Sequence, residues 1–359
     1  MEPFIAKKLP IDYSLDKELL RLISEANQKY GEYKTLLDTT EFDSRFFLDS
    51  ILLSESLKST QIEGSQISQD EIYYLKYMEQ TDDNLEIQNL KNVIDFAKNK
   101  LLEKNKINLQ LINGMHQLLL NSVRGSEKSP GKIRTIQNWI GPKGFGIEAA
   151  IFIPPIYEDV PLLLDNLFEY MNDRYIDPIF VNLAISHSQF ETIHAYNDGN
   201  GRLGRALIPI QLSLLTEHEP ILFLSEIIEL YKPAYQRNLT ESRKGNMIGF
   251  IKFFLQCIIE QCTSYIYKIN KIKEIYKEDR KKIEIINGAS IYKIMDAIMK
   301  LIVFTKKEIE EESGISRNVT STLINRLVEL NILVKDDSVI KKGYRYQKIY
   351  DIFVGRDFY

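Results

Sequence analysis

One short stretch, HAYNDGNGRLGR, from His194 to Arg205, gathers a histidine, an aspartate, three glycines and two arginines. An imidazole can take a proton from a hydroxyl near neutral pH, so His194 is the candidate general base. Gly199 and Gly201 permit positive φ and, with Asn200 between them, let backbone N–H groups point at one spot. A helix starting there adds partial positive charge, and the two together form an anion cradle. Arg202 and Arg205 share one face of that helix and can grip further phosphates. Asp198 beside the cradle would repel phosphate unless a divalent cation bridged them, which implies Mg²⁺. Simpler readings fail. Hairpin turns use Asp-Gly and Asn-Gly, but the flanks here have helical spacing. Counted from Asp198, an EF-hand needs glycine sixth and a carboxylate twelfth, where Leu203 and Pro209 stand. The Gly-Lys-Ser/Thr ending of a Walker A loop is absent.

Two helices must hold this loop. ISHSQFETIHAY before it has Ile185, Phe190 and Ile193 as inward positions, and RLGRALIPIQLSLL follows, with Pro209 expected to bend it. The wider pattern is mainly α. Residues 1–100 read as an extended arm and helices, the first capped by Ser14, with Leu15, Leu19, Leu20, Leu22 and Ile23 at helical spacing. Residues 101–265 continue as a helical bundle interrupted at 131–155, where GPKGFG between β-branched runs reads as a β-hairpin flap. Mixed charge over 266–287 reads as a solvated helical linker. The remainder, 288–359, reads as helix, helix, turn, helix and a two-stranded wing, a small winged-helix (α+β) domain. Its 316–330 helix places Val319, Leu323, Leu327 and Leu330 on one face.

The chain has 359 residues, 44% hydrophobic, enough for two or three domains. A net charge of −4 argues against a surface that binds nucleic acid throughout. The winged helix still offers DNA contacts: Arg317, Asn318, Thr320 and Thr322 on its helix, and Lys341, Lys342, Arg345 and Lys348 in the wing. Glu329 and the acidic stretch 308–312 oppose this, so a protein-docking or dimerising module is the alternative. No apolar run approaches the ~18 residues of a membrane span, and the first residues lack a signal-peptide core. Cys257 and Cys262 share one apolar helix and read as buried thiols, pointing with the rest to the cytoplasm. Apolar surface on the bundle can support a homodimer.

HAYNDGNGRLGR resembles the Fic family signature, H-x-F-x-D/E-G-N-G-R-x-x-R. His194, Asp198, Gly199, Asn200, Gly201, Arg202 and Arg205 match it, Tyr196 replaces the usual Phe, and Ala195 the common Pro. HSQFETIH and IGPKGFG…IFIPP resemble the family too, so the likeness covers about 1–265. It implies a Fic-fold bundle and transfer of AMP from ATP to a Ser, Thr or Tyr hydroxyl of a protein, this chain among the candidate acceptors. His194 would be the base, Asp198 would hold Mg²⁺ on the α- and β-phosphates, and Gly199–Gly201 would cradle them. Arg202 would steady the β-phosphate and Arg205 the γ-phosphate. The flap, around Ile140, Gly141 and Gly144, would align a target segment by strand pairing. Tyr231 and Tyr235 either line the adenine pocket or pack in the core. STQIEG resembles the family's inhibitory motif: Ser59 and Glu63 face the same way, Gly64 ends their helix, and Glu63 would pair with Arg205 and block the γ-phosphate. Other readings are a nucleotide-sensing DNA-binding regulator, a Fic transferase with another donor, and removal of AMP assisted by Glu63.

Overall fold

An extended arm leads into α1 (Lys17–Asp38), followed by α2 (Ser44–Ile62), α3 (Asp82–Lys104), α4 (Leu109–Leu119), α5 (Val160–Asn172), α6 (Ile179–Ile193), α7 (Asn200–Thr216), α8 (Ser225–Leu230), α9 (Lys232–Arg243) and the long α10 (Met247–Ile283). Then come α11 (Ser290–Leu301), β1 (Val303–Thr305), α12 (Lys306–Ser313), α13 (Arg317–Glu329), β2 (Val334–Asp336), β3 (Gly343–Arg345) and α14 (Gln347–Val354). This computed structural model describes residues 2–142, 144–286, 288–338 and 341–355. Lys143 of the expected flap, Asn287 of the expected linker, and 339–340 and 356–359 of the expected wing domain lie outside them. No helix among the described residues is long and apolar enough to cross a membrane.

Contacts divide the chain into two units that do not follow the sequence boundaries. One gathers Met1–Gly31, Glu55–Gln66 and Thr81–Cys262; the other gathers Glu32–Ser54, Ile67–Gln80 and Thr263–Tyr359. In the first, α6 and α7 are the central pair. Every α6 residue from Phe180 to Ile193 is buried, so α6 is covered all round rather than on one stripe. Several of its polar side chains are matched inside the unit, Glu191 Oε1 being an exception. Gln211 on α7 donates to Asn182 Oδ1 (2.7 Å) and Ser186 Oγ (3.0 Å), while Asn182 Nδ2 donates to the Tyr170 and Asp173 carbonyls. Pro209 lies inside α7 without ending it. Cys257 and Cys262 are buried free thiols.

In the second unit, β1 follows α11, and β2 and β3 follow α13, forming an antiparallel sheet in the order β1-β3-β2. Thr305 and Glu308 form a reciprocal capping box that starts α12.

The structure corrects several expectations. Asp16, not Ser14, caps α1, its Oδ1 accepting from the Leu19 N–H at 2.7 Å, and Leu15 stays 55% exposed ahead of the helix. The 131–155 segment is not a laddered hairpin. Among the described residues its strand pairing is one isolated bridge, Ile140 with Phe152, because Gly141, Pro142, Gly144 and Gly146 interrupt the strand register. The second strand of the expected wing stops at Arg345. Residues 347–354 are helical, burying Ile349, Tyr350, Ile352 and Phe353. On α13 the buried positions are Thr320, Ile324 and Leu327, while Val319 is exposed. Thr320 donates to the Ile315 carbonyl and is not available to DNA. Arg345 is paired with Asp336 and Tyr74, and Lys348 with Glu278, which leaves Lys341 and Lys342 as the exposed cations of that group.

Candidate active site

The α6–α7 junction forms the site. His194 ends α6 in the left-handed region (φ 49°), its N–H still bonded to the Phe190 carbonyl. The chain turns and enters α7 through Gly199, which caps the helix at φ 73°. Asn200 closes the turn on itself. Its Oδ1 accepts the Tyr196 N–H (2.9 Å) and its Nδ2 donates to the Tyr196 carbonyl (2.7 Å). The Asn200 amide therefore holds the loop's shape, and the anion-facing groups are the backbone N–H groups at the α7 N-terminus. Tyr196 fills a buried slot, and its hydroxyl donates to Asn113 Oδ1 at 2.7 Å.

Three supporting residues were not singled out by sequence reasoning. His116 of α4 stacks on Tyr196 with ring centroids 3.9 Å apart. Its Nδ1 accepts the Gly131 N–H (2.8 Å), so its Nε2–H donates to the Asp198 carbonyl (3.0 Å). Burial holds its pKa below the ordinary histidine value. The buried Arg134 donates from Nε to the His194 carbonyl (3.0 Å) and also binds the Pro155 carbonyl. Asn138 Nδ2 reaches the His194 and Tyr196 carbonyls. The His194 backbone is thus fixed by two donors. Burial, with the Arg243 and Arg134 charges adding to it, pushes the His194 imidazole down to about 4, so it is neutral at pH 7. Its Nδ1 is buried, which leaves Nε2 as the ring nitrogen for a substrate proton.

Asp198 is half-exposed, with Oδ1 accepting the Gly199 N–H at 2.6 Å. It is also crowded: a Cβ on Gly125 would stand 2.8 Å from its Oδ2. No cluster of three or more His, Cys, Asp or Glu among the described residues could hold a metal by itself. One open carboxylate fits an Mg²⁺ whose other ligands are water and phosphate oxygens. Arg202 Nη1 is ion-paired with Glu86 Oε2 at 3.1 Å, Nη2 lies 3.8 Å from Asp198 Oδ1, and Nε is buried without a hydrogen-bond partner. A guanidinium held by a carboxylate one turn inside a helix N-terminus places positive charge where a polyphosphate would bind.

Arg205, one turn on, is held by α2 and the residue that follows it. It donates from Nε to Ser59 Oγ (3.0 Å), and from Nη2 to the Ser59 carbonyl (2.9 Å) and Glu63 Oε1 (2.7 Å). Its side chain is 2% exposed and that of Glu63 44%. Desolvation pushes the Glu63 carboxyl up; the charge and hydrogen bond of Arg205 more than reverse this and hold it below the ordinary carboxylate value. Gly201 makes the approach possible, since a Cβ there would stand 2.5 Å from Glu63 Oε1. Gly64 leaves the helix at φ 106°. The end of α2 is held elsewhere too. Lys232 Nζ donates to the Ile62 carbonyl (2.6 Å), and Glu55 accepts both the N–H and hydroxyl of Ser225.

The site therefore brings together His194, Asp198, Gly199, Asn200, Gly201, Arg202, Arg205, Ser59 and Glu63. Tyr235 stands behind it, buried, with its hydroxyl 2.8 Å from His187 Nε2. Tyr231 is 40% exposed at the α8–α9 junction. Ile140 carries the flap bridge and Gly141 packs against the Ala149 carbonyl, while open space surrounds Gly144.

A helical bundle that presents an anion-binding loop at a helix N-terminus, with a neutral histidine before it and two arginines after, defines the class. The chain belongs to the Fic/DOC family: that family's model matches residues 106–212, and the Fic/DOC N-terminal model matches residues 20–99. The chain is similar to a protein adenylyltransferase Fic of Drosophila erecta, 23% identical over 195 residues, which are 54% of this chain and 36% of the relative. It is also similar to the protein adenylyltransferase fic-1 of Caenorhabditis elegans, 27% identical over 154 residues, 42% of this chain and 27% of the relative. The matches thus span well under half the length of those relatives. Among solved structures, a Fic family protein from Desulfovibrio desulfuricans G20 superposes with a TM-score of 0.60 at 15% identity, covering 93% of this chain and 97% of that one. C. elegans Fic-1 gives 0.53 at 18%, covering 70% and 73%. These likenesses establish the fold.

Proposed function

We propose that this protein is an adenylyltransferase that transfers AMP from ATP to a hydroxyl of a protein, and that Glu63 restrains it. The observation that carries the reading is Arg205. It stands one turn beyond an anion cradle and is occupied by the Ser59 hydroxyl and the Glu63 carboxylate. The γ-phosphate of a triphosphate bound in that cradle would compete for the same guanidinium, and the Glu63 charge would repel it.

The steps follow from the side chains. The backbone N–H groups at the start of α7 and the positive charge of Arg202 hold the phosphates. His194 Nε2 takes the proton as the acceptor oxygen bonds to the α-phosphorus. The bond from that phosphorus to the bridging oxygen breaks, and pyrophosphate leaves. Mg²⁺ held by Asp198 would supply charge neutralisation on the phosphates. A neutral imidazole is required, and burial provides it. In support, relatives sharing the family carry the name protein adenylyltransferase.

The test is intact mass after incubation with ATP and Mg²⁺. Glu63→Gly should gain one or more AMP units, the parent fewer, and Glu63→Gly with His194→Ala none. Equal labelling of all three would defeat the reading, and a gain matching another group would reassign the donor.

A further inference from the structure

The 131–155 flap has one bridge of its own, and a single strand pair is not stable in isolation. Its root is held by Arg134 and by Gln137, whose Nε2 donates to the Pro154 carbonyl. Its bridging residue, Phe152, is held differently. Arg243, the last residue of α9, places its guanidinium 4.0 Å from the centre of the Phe152 ring. The same guanidinium donates to the Glu191 carbonyl and to Thr192 Oγ1, both at 3.3 Å. Those groups lie in the last turn of α6, where free carbonyls and the helix dipole favour a cation. Arg243 thus spans from the turn that ends at His194 to the flap ring.

Phe152 has a second aromatic neighbour. Phe4 of the N-terminal arm lies 5.5 Å away, ring to ring, and its N–H donates to the Ile153 carbonyl at 2.9 Å. The arm is anchored further along. Gln189 donates to the Lys7 carbonyl, and Asn166 bonds both the N–H and the carbonyl of the buried Leu9. The arm's tip is therefore carried by firm contacts on α5 and α6 and braces the flap.

We propose that Arg243 and Phe4 are positioning residues for the acceptor: together they clamp Phe152 and set the flap edge at the Ile140–Phe152 bridge relative to the His194 imidazole. The clamp rests on the adenylyltransferase reading insofar as that edge pairs with an extended polypeptide segment bearing the acceptor hydroxyl. Water needs no such alignment. Loss of the clamp therefore changes the partition between protein and water as acceptors, which a general loss of stability would not do.

The test uses the full chain carrying Glu63→Gly, alone and with Arg243→Met, Phe4→Ala or Phe4→Trp. Hydrogen exchange without nucleotide should quicken about tenfold in peptides covering 136–155 for Arg243→Met and Phe4→Ala, with Phe4→Trp near the parent. With ATP and Mg²⁺, labelled protein per free AMP released should fall about tenfold in the same two variants. Unchanged flap exchange overturns the clamp, and so does an equal fall in labelling and AMP release. If the parent transfers no AMP to protein or water, the adenylyltransferase reading fails, and the exchange measurement still decides the clamp. Should Arg243→Met not fold, Phe4→Ala carries the test, because it removes only a half-buried ring at the arm's tip.

Discussion

Replacing Glu63 by Gln removes one charge from the Arg205 site and leaves the Ser59 contacts in place. A hydrogen bond to a charged group contributes about 1.5–3 kcal/mol. The Glu63 side chain is 44% exposed, so solvent screens the pair and the lower figure applies, about 1.5 kcal/mol. If ATP must displace this contact, the competent fraction of the resting protein is roughly one in ten, and apparent affinity is reduced by that fraction. Glu63→Gln should then tighten binding of a non-hydrolysable ATP analogue with Mg²⁺ about tenfold, read by calorimetry. The contact also has a pH signature. The folded pKa of Glu63 lies below its unfolded value, so the pairing is fully present above the unfolded value. It is lost only as pH falls through the depressed folded value. The tenfold gap should therefore hold from pH 8 to pH 6. A change under twofold, or a gap that closes between pH 8 and 6, would refute the competition argument.

Other outcomes follow from the same geometry. With an imidazole held near 4, AMP transfer by Glu63→Gly should rise through that pH and stay flat across neutrality, as a pH–rate profile will show. His116→Phe keeps the stack on Tyr196 but strands the Gly131 N–H and the Asp198 carbonyl. It should cost about 1–3 kcal/mol in denaturant unfolding and loosen the loop. Glu191 is buried with an unpartnered Oε1, and burial raises its carboxyl to about 7. An acid raised on folding favours the folded state at low pH, so the parent should lose melting temperature relative to Glu191→Gln as pH climbs from about 5 to 7.

The loop was legible because its parts are neighbours in the chain. His194 through Arg205 occupy consecutive turns, so spacing alone assigns the cradle and its arginines a common place. Glu63 stands 142 residues from Arg205, and only the family resemblance joined them before the structure did. His116, Arg134 and Arg243 were invisible for the same reason, with no local pattern to mark them. Asn200 was read as a phosphate ligand, yet its amide is spent on Tyr196, a partner four residues away that composition does not reveal. YRYQKIYDI suits both periods, so the strand it suggests is a helix at 347–354 in the structure. Its burial of Ile349, Tyr350, Ile352 and Phe353 follows the helical one. β-branched residues on both sides of GPKGFG suggest a hairpin with a loose tip, whereas the glycines and prolines set the local conformation around the Ile140–Phe152 bridge.

The empty space at Gly201 restricts how this protein can change. The volume a methyl group would take is the one through which Glu63 reaches Arg205, and it borders the loop that would hold the phosphates. A larger residue there would evict the inhibitor and crowd the substrate together. A lineage or an engineer seeking a constitutively active form therefore has no clean route through Gly201. The route lies through α2, where Ser59, Glu63 and their anchors at Glu55 and Ile62 can be altered one at a time, and activity can be graded rather than switched.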